Sequence, residues 1–142
     1  MSTENLVLNG DFNDNLNHWV ANATGGGYVA LKSDASHGNF AALQTGDLAS
    51  LSQTIVSESG EYTFSFDSRN VESNCSVRVW GVYEHGGREI IIAPQVKINY
   101  SISWHGNTHK FSMPECYSKL EIEFYAQYHT ILEVDSIVLT KD

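Results

Sequence analysis

The chain has 142 residues, with eight Lys and Arg against seventeen Asp and Glu, a formal charge of −9. That length fills one domain with a real core and is too short for two. The negative charge repels phosphate backbones and anionic lipid, which sets nucleic acid and membrane surfaces aside as partners. Charged residues make up only 18%, below the roughly 25% of an average protein, so the composition is that of a compact fold rather than a disordered chain or a charged helical bundle. No run approaches the roughly 18 apolar residues of a membrane span, and the first ten residues lack the basic start and apolar stretch of a signal peptide.

Helix spacing is absent and period-two alternation recurs, so every predicted element is a strand. In chain order, weaker strands are expected over Asn5–Leu8, Tyr28–Leu31, Ala41–Gln44 and Leu48–Val56. The clearest strand is Glu61–Asn70, where Tyr62, Phe64 and Phe66 alternate with Thr63, Ser65 and Asp67. Cys75–Tyr83 follows, with Val77 and Val79 inward and Arg78, Trp80 and Val82 on the other side. A short strand is expected over Glu89–Ala93, then one over Val96–Trp104 with Ile98, Tyr100, Ile102 and Trp104 sharing the core face, then one over Thr108–Met113. Leu120–Gln127 places Leu120, Ile122, Phe124 and Ala126 against Glu121, Glu123, Tyr125 and Gln127, and Ile131–Thr140 closes the series.

The punctuation is that of hairpins and loops: Gly25-Gly26-Gly27, His37-Gly38-Asn39, Thr45-Gly46-Asp47, Gly86-Gly87 and His105-Gly106-Asn107. Pro94 is expected at an edge or bulge. About ten short strands without a repeat or a linker predict an all-β fold, a two-sheet antiparallel β-sandwich or jelly roll occupying 1–142 as one domain. Cys75 and Cys116 form no zinc-type spacing; two free thiols and a single bridge are both open.

Asn5-Leu6-Val7-Leu8-Asn9-Gly10-Asp11-Phe12 followed by Trp19 resembles the opening of the carbohydrate-binding modules with a galactose-binding-like jelly-roll fold, relatives of the xylan- and glucan-binding modules. Further pieces resemble that group in the same order: Ser36-His37-Gly38-Asn39-Phe40-Ala41-Ala42-Leu43, Leu51-Ser52-Gln53-Thr54-Ile55, Gly60-Glu61-Tyr62-Thr63-Phe64-Ser65-Phe66, Trp104 with Phe111, and Val134-Asp135-Ser136-Ile137-Val138-Leu139. The resemblance implies non-catalytic binding of an oligosaccharide or polysaccharide. It also implies a structural calcium ion joining the opening loop to the closing strand, at positions matching Asp11, Asn13 and Asp135 with carbonyls around Asn9 and near His37–Asn39. A hard cation needs six to eight oxygens, which segments distant in sequence can supply together. The family commonly has Glu where this chain has Asn13, and the alternative is that Asp11 caps a turn and Asp135 accepts backbone hydrogen bonds without any metal.

Strand alternation places the candidate ligand residues on an outer surface: Asp67 and Arg69 from one strand, with Arg78, Trp80, Glu123, Tyr125 and Gln127 from two others. Trp80 and Tyr125 are suited to cover the C–H face of a pyranose, and the charged and amide groups to bond its hydroxyls. The alternative is a solvated sheet face paired across strands for stability. Trp19 and Trp104 are expected in the core.

No GxSxG or HExxH motif is present, and Asp67 with Glu123 is the only acid–base pair singled out for glycosidase-type chemistry, so the chain is not expected to be an enzyme. A different class also remains: a structural or protein-interaction domain of a toxin, phage or surface assembly, or a homo-oligomer. An extracellular or cell-surface setting suits a glycan binder.

Overall fold

The computed structural model describes residues 4–35, 37–70, 75–91, 96–98 and 101–142. Ser36, Pro94 and Tyr100, each singled out above, lie outside the described residues. Eleven strands and no helix occur among those described: β1 (Val20–Thr24), β2 (Tyr28–Asp34), β3 (Gly38–Gln44), β4 (Leu48–Val56), β5 (Gly60–Asn70), β6 (Cys75–Val82), β7 (Arg88–Ile90), β8 (Val96–Lys97), β9 (Ser101–Met113), β10 (Lys119–Gln127) and β11 (Ile131–Lys141). The first sheet has the order β1-β4-β10-β6-β7, with β8 also on β6, and the second has the order β2-β3-β11-β5-β9. Their ladders are antiparallel throughout. This is the expected two-sheet sandwich of jelly-roll type.

The core lies between the sheets because each central strand buries alternate residues. Leu51, Val77, Val79, Ile122 and Phe124 come from the first sheet, and Leu43, Phe64, Phe66, Leu132 and Leu139 from the second, all essentially without solvent contact. Phe124 meets the edge of Phe66 at 5.0 Å and lies 6.2 Å from Phe64, so one aromatic cluster ties β10 to β5 across the sandwich. Trp19 is a core plug as expected, buried against Phe12 at 5.6 Å and Phe124 at 6.3 Å.

Four expectations change. The segment Asn5–Leu8 is not a ladder strand; it is tied by the Leu6 amide donating to the Leu139 carbonyl at 2.8 Å and by side-chain amides from Asn5 and Gln53. Strand β1, unforeseen, has all five residues exposed and so shows no apolar alternation to read.

His105-Gly106-Asn107 is not a turn, since β9 runs unbroken through it and pairs Gly106 with Asp67. The expected strand Val96–Trp104 is two elements on different sheets, because β8 pairs with β6 and β9 with β5. Changing sheets resets the alternation. Ile98 is therefore buried, Ile102 is 72% exposed, and Trp104 sits on an outer face rather than in the core. The cysteines are free, Cys75 buried and Cys116 exposed, and burial pushes the Cys75 thiol up to about 11.

Gln53 is buried and its amide clasps the backbone of Leu8 from both sides, accepting from its N–H at 2.8 Å and donating to its carbonyl at 2.9 Å. Gln53→Ala removes both bonds and is expected to lower stability by about 1–3 kcal/mol, measured by urea unfolding, with the opening segment gaining hydrogen exchange first.

Candidate functional site

The outer face of the first sheet is built by register. Across β6 and β10, Arg78 stands opposite Glu123 and Trp80 opposite Glu121, while Tyr125 stands opposite Ser76. Strand β7 adds Arg88 and Ile90 beside Val82 and Trp80. Glu123 is the hub: its Oε1 accepts from the Trp80 indole Nε1 at 3.1 Å and from Arg78 Nη1 at 3.3 Å. The Arg78 guanidinium lies 3.9 Å from the Tyr125 ring centre, and that of Arg88 lies 3.9 Å from the ring of Trp80 while Nη1 reaches Glu121 Oε2 at 2.8 Å. Such cation–π pairs with charge-assisted bonds hold planar groups in fixed orientations. Gln127 shares this face further along β10, opposite Leu48, and is half-buried. Arg88 and Glu121 were not among the candidate residues, although the alternation of Leu120–Gln127 already put Glu121 on this side.

Asp67 and Arg69 do not join this group. Both are on β5 in the second sheet, so they face away on the opposite side of the sandwich. Alternation assigns a residue to one side of its strand, but two sheets have two outer faces. On the second face Arg69 bonds Glu133 at 2.6 Å and Asp34 at 3.1 Å, with its guanidinium 4.7 Å from the Trp104 ring. His37 stacks on Trp104 at 4.1 Å and its Nε2 meets Asp67 Oδ2 at 3.0 Å. Trp104 thus makes ring contacts with both Arg69 and His37, and Phe40 meets it edge-on at 5.3 Å. The separation also removes Asp67 and Glu123 as an acid–base pair, since two sheets about 10 Å apart stand between them.

The third constellation is where the opening loop meets β11. A bulge between Asp135 and Val138, with Ser136 in the left-handed region at φ 52°, turns the strand toward that loop. Gly10 fits there because a Cβ would lie 2.2 Å from the Ile137 carbonyl oxygen. Asp135 is 3% exposed, and its Oδ1 is buried without a hydrogen-bond partner. Its carboxyl is pushed up from 3.8 to about 6, first by burial and further by the charges of Asp67 and Asp11.

Asp11 accepts from the Asn13 backbone N–H at 3.2 Å and from its Nδ2 at 3.0 Å, the turn-capping arrangement. Asn9 organises the loop itself: its Nδ2 donates to the carbonyls of Asp14, Asn15 and Asn17, and its own carbonyl accepts from Trp19 Nε1 at 3.0 Å. Among the described residues, no three His, Cys, Asp or Glu side chains gather as a ready metal cluster.

A two-sheet antiparallel jelly roll is the architecture of a carbohydrate-binding module. A family model for a carbohydrate binding domain matches residues 4–133, and the chain belongs to that family. Its modules are non-catalytic binding domains. A search of curated proteins finds no match.

Solved structures share the fold. The enzymatically active domain of bacteriophage CBA120 tailspike protein 4 superposes with a TM-score of 0.81 at 15% identity, over 97% of this chain and 21% of that one. The chain therefore spans about a fifth of that relative. The C-terminal family 22 carbohydrate-binding module of Clostridium thermocellum Xyn10B gives 0.68 at 12% identity, over 99% of this chain and 97% of the other. TmCBM61, solved with beta-1,4-galactotriose, gives 0.67 at 13% identity, over 99% and 100%. At these identities the likeness carries the fold alone.

Proposed function

We propose that the chain binds an oligosaccharide or polysaccharide on the outer face of its first sheet, through Trp80, Tyr125, Arg78, Glu123 and Gln127 together with Arg88 and Glu121. The supporting observation is the Glu123 hub, where one carboxylate oxygen takes the indole N–H of Trp80 and the guanidinium of Arg78 at the middle of the sheet. Planar groups fixed in this way lose little rotamer freedom when a ligand arrives, which is what a modest-affinity site needs. Calorimetric titration against a panel of soluble glycans tests it: binding without turnover is expected, and a panel with no binder contradicts it.

The opposite face supplies the control. Trp104→Ala removes a ring already engaged by His37, Arg69 and Phe40. The substitution is expected to cost stability, about 1–3 kcal/mol, while changing glycan affinity by less than about twofold. Loss of binding in a folded Trp104→Ala protein would move the site to the second sheet.

We also propose a structural calcium ion at the junction of the opening loop and β11. The donor chemistry fits a hard cation: a buried carboxylate oxygen of Asp135 without a partner, with the negative charge of Asp11 close enough to raise its pKa. Asp135 and Asp11 would hold the ion, with the Asn13 amide oxygen and backbone carbonyls completing the shell. Asn9 shapes the loop that presents these donors, its Nδ2 donating to the Asn17 carbonyl and its Oδ1 accepting from the Asp14 N–H. The ion supplies charge neutralisation at a buried carboxylate.

A further inference from the structure

Resting on the reading of the first sheet's outer face as the glycan site, we propose that its ligand is acidic, a glycan whose pyranose rings carry carboxylates. At the described strand positions of this face, Arg78, Arg88 and Lys119 stand against Glu121 and Glu123. In a chain of net charge −9, these strand positions thus carry one more basic residue than acidic.

Depth matters as much as number. The side chains of Glu123 and Glu121 keep 13% and 17% of their exposure, against 21% for Arg78 and 41% for Arg88. The carboxylate is the less exposed member of each pair, so the guanidiniums offer an approaching ligand the larger share of accessible surface. The same arginines cover the aromatic rings at 3.9 Å, Arg88 over Trp80 and Arg78 over Tyr125.

A neutral pyranose stacking on that side of Trp80 has to lift Arg88 from the ring and from Glu121 together. A carboxylate-bearing sugar instead adds to the guanidinium where it lies. Arginine has five N–H donors in a rigid fork suited to planar carboxylates, and Arg88 reaches Glu121 through Nη1. In this arrangement Trp80 and Tyr125 act as beds that hold the arginines flat, and the guanidiniums recognise the ligand.

The test titrates the whole chain with polygalacturonate, alginate and hyaluronate, each beside its carboxyl-reduced neutral counterpart, and with the neutral polymers galactan, xylan and β-glucan. At least one acidic polymer is expected to bind about tenfold or more tightly than its reduced form. Arg88→Gln, with folding verified by thermal unfolding, is expected to remove that difference. Equal binding of acidic and reduced forms, an Arg88→Gln protein that keeps the preference, or a neutral polymer binding where all three acidic ones fail overturns the acidic ligand and leaves the face as the glycan site. Absence of binding to every polymer overturns the face itself, and the acidic ligand with it.

Discussion

Trp80→Ala is expected to weaken glycan binding by about tenfold or more, roughly 1–3 kcal/mol, while the protein stays folded. The indole is half-buried on the outer face, and its removal does three things at once. It takes away the ring under the Arg88 guanidinium, it deprives Glu123 Oε1 of the bond from Nε1, and it opens the space between β6 and β7. Trp80→Phe separates the contributions, since it retains an aromatic ring, smaller than the indole, for Arg88 and removes the N–H. An intermediate loss is expected for Phe, because a hydrogen bond to a charged acceptor is worth about 1.5–3 kcal/mol and Glu123 keeps Arg78 as a partner. Calorimetry on both variants reads the result, and full affinity in Trp80→Ala would remove the indole from the site.

Asp135 gives the second large effect, and its sign depends on the cation. The folded carboxyl has a pKa of about 6 against an ordinary 3.8, so its ionised form costs about 3 kcal/mol in metal-free protein. A group raised by folding contributes stability that is complete below its unfolded value and is lost as pH rises through its folded value. In excess chelator, wild type is therefore expected to gain stability as the pH falls from 7 through 6 toward 4, relative to Asp135→Asn, which has no such proton to bind. At pH 7 in chelator the Asn variant is expected to be the more stable protein. Calcium reverses the order: at one hundred times its dissociation constant, an ion bound only by the folded state adds about 2.7 kcal/mol to wild type, and Asp135→Asn should not respond. Thermal unfolding of the two proteins in calcium and in chelator checks all of this. A wild-type transition that ignores both reagents would remove the metal.

Much of the fold was legible because apolar alternation is written residue by residue. Leu48–Val56 is found with its expected limits, β5 and β10 within one residue of theirs at each end, and the turn at Thr45-Gly46-Asp47 where small and polar residues mark it. The burial of Tyr62, Phe64 and Phe66 against half-buried Thr63, Ser65 and Asp67 is that same pattern in three dimensions. Sheet membership is not written locally. Asp67 and Trp80 each lie on the solvent side of their strands, yet long-range pairing places β5 beside β11 and β9, and β6 beside β10 and β7. For the same reason the sequence pattern puts Trp104 with the core: alternation carried on from Val96 points it inward, and the change of sheet between β8 and β9 inverts which side is inward. Gly106 misled because glycine marks turns more often than it lies opposite an aspartate within a ladder. Arg88 escaped notice because β7 has only three residues, too short for a period to show.

The three tryptophans report on three separate places: Trp19 in the core, Trp80 on the outer face of the first sheet and Trp104 on that of the second. Titrating a glycan that binds into nitrogen-15-labelled protein, and following the three indole N–H signals, locates the contact directly. The account predicts that the Trp80 signal shifts in step with saturation while those of Trp19 and Trp104 hold still. A saturating shift of Trp104 with Trp80 unmoved would contradict it.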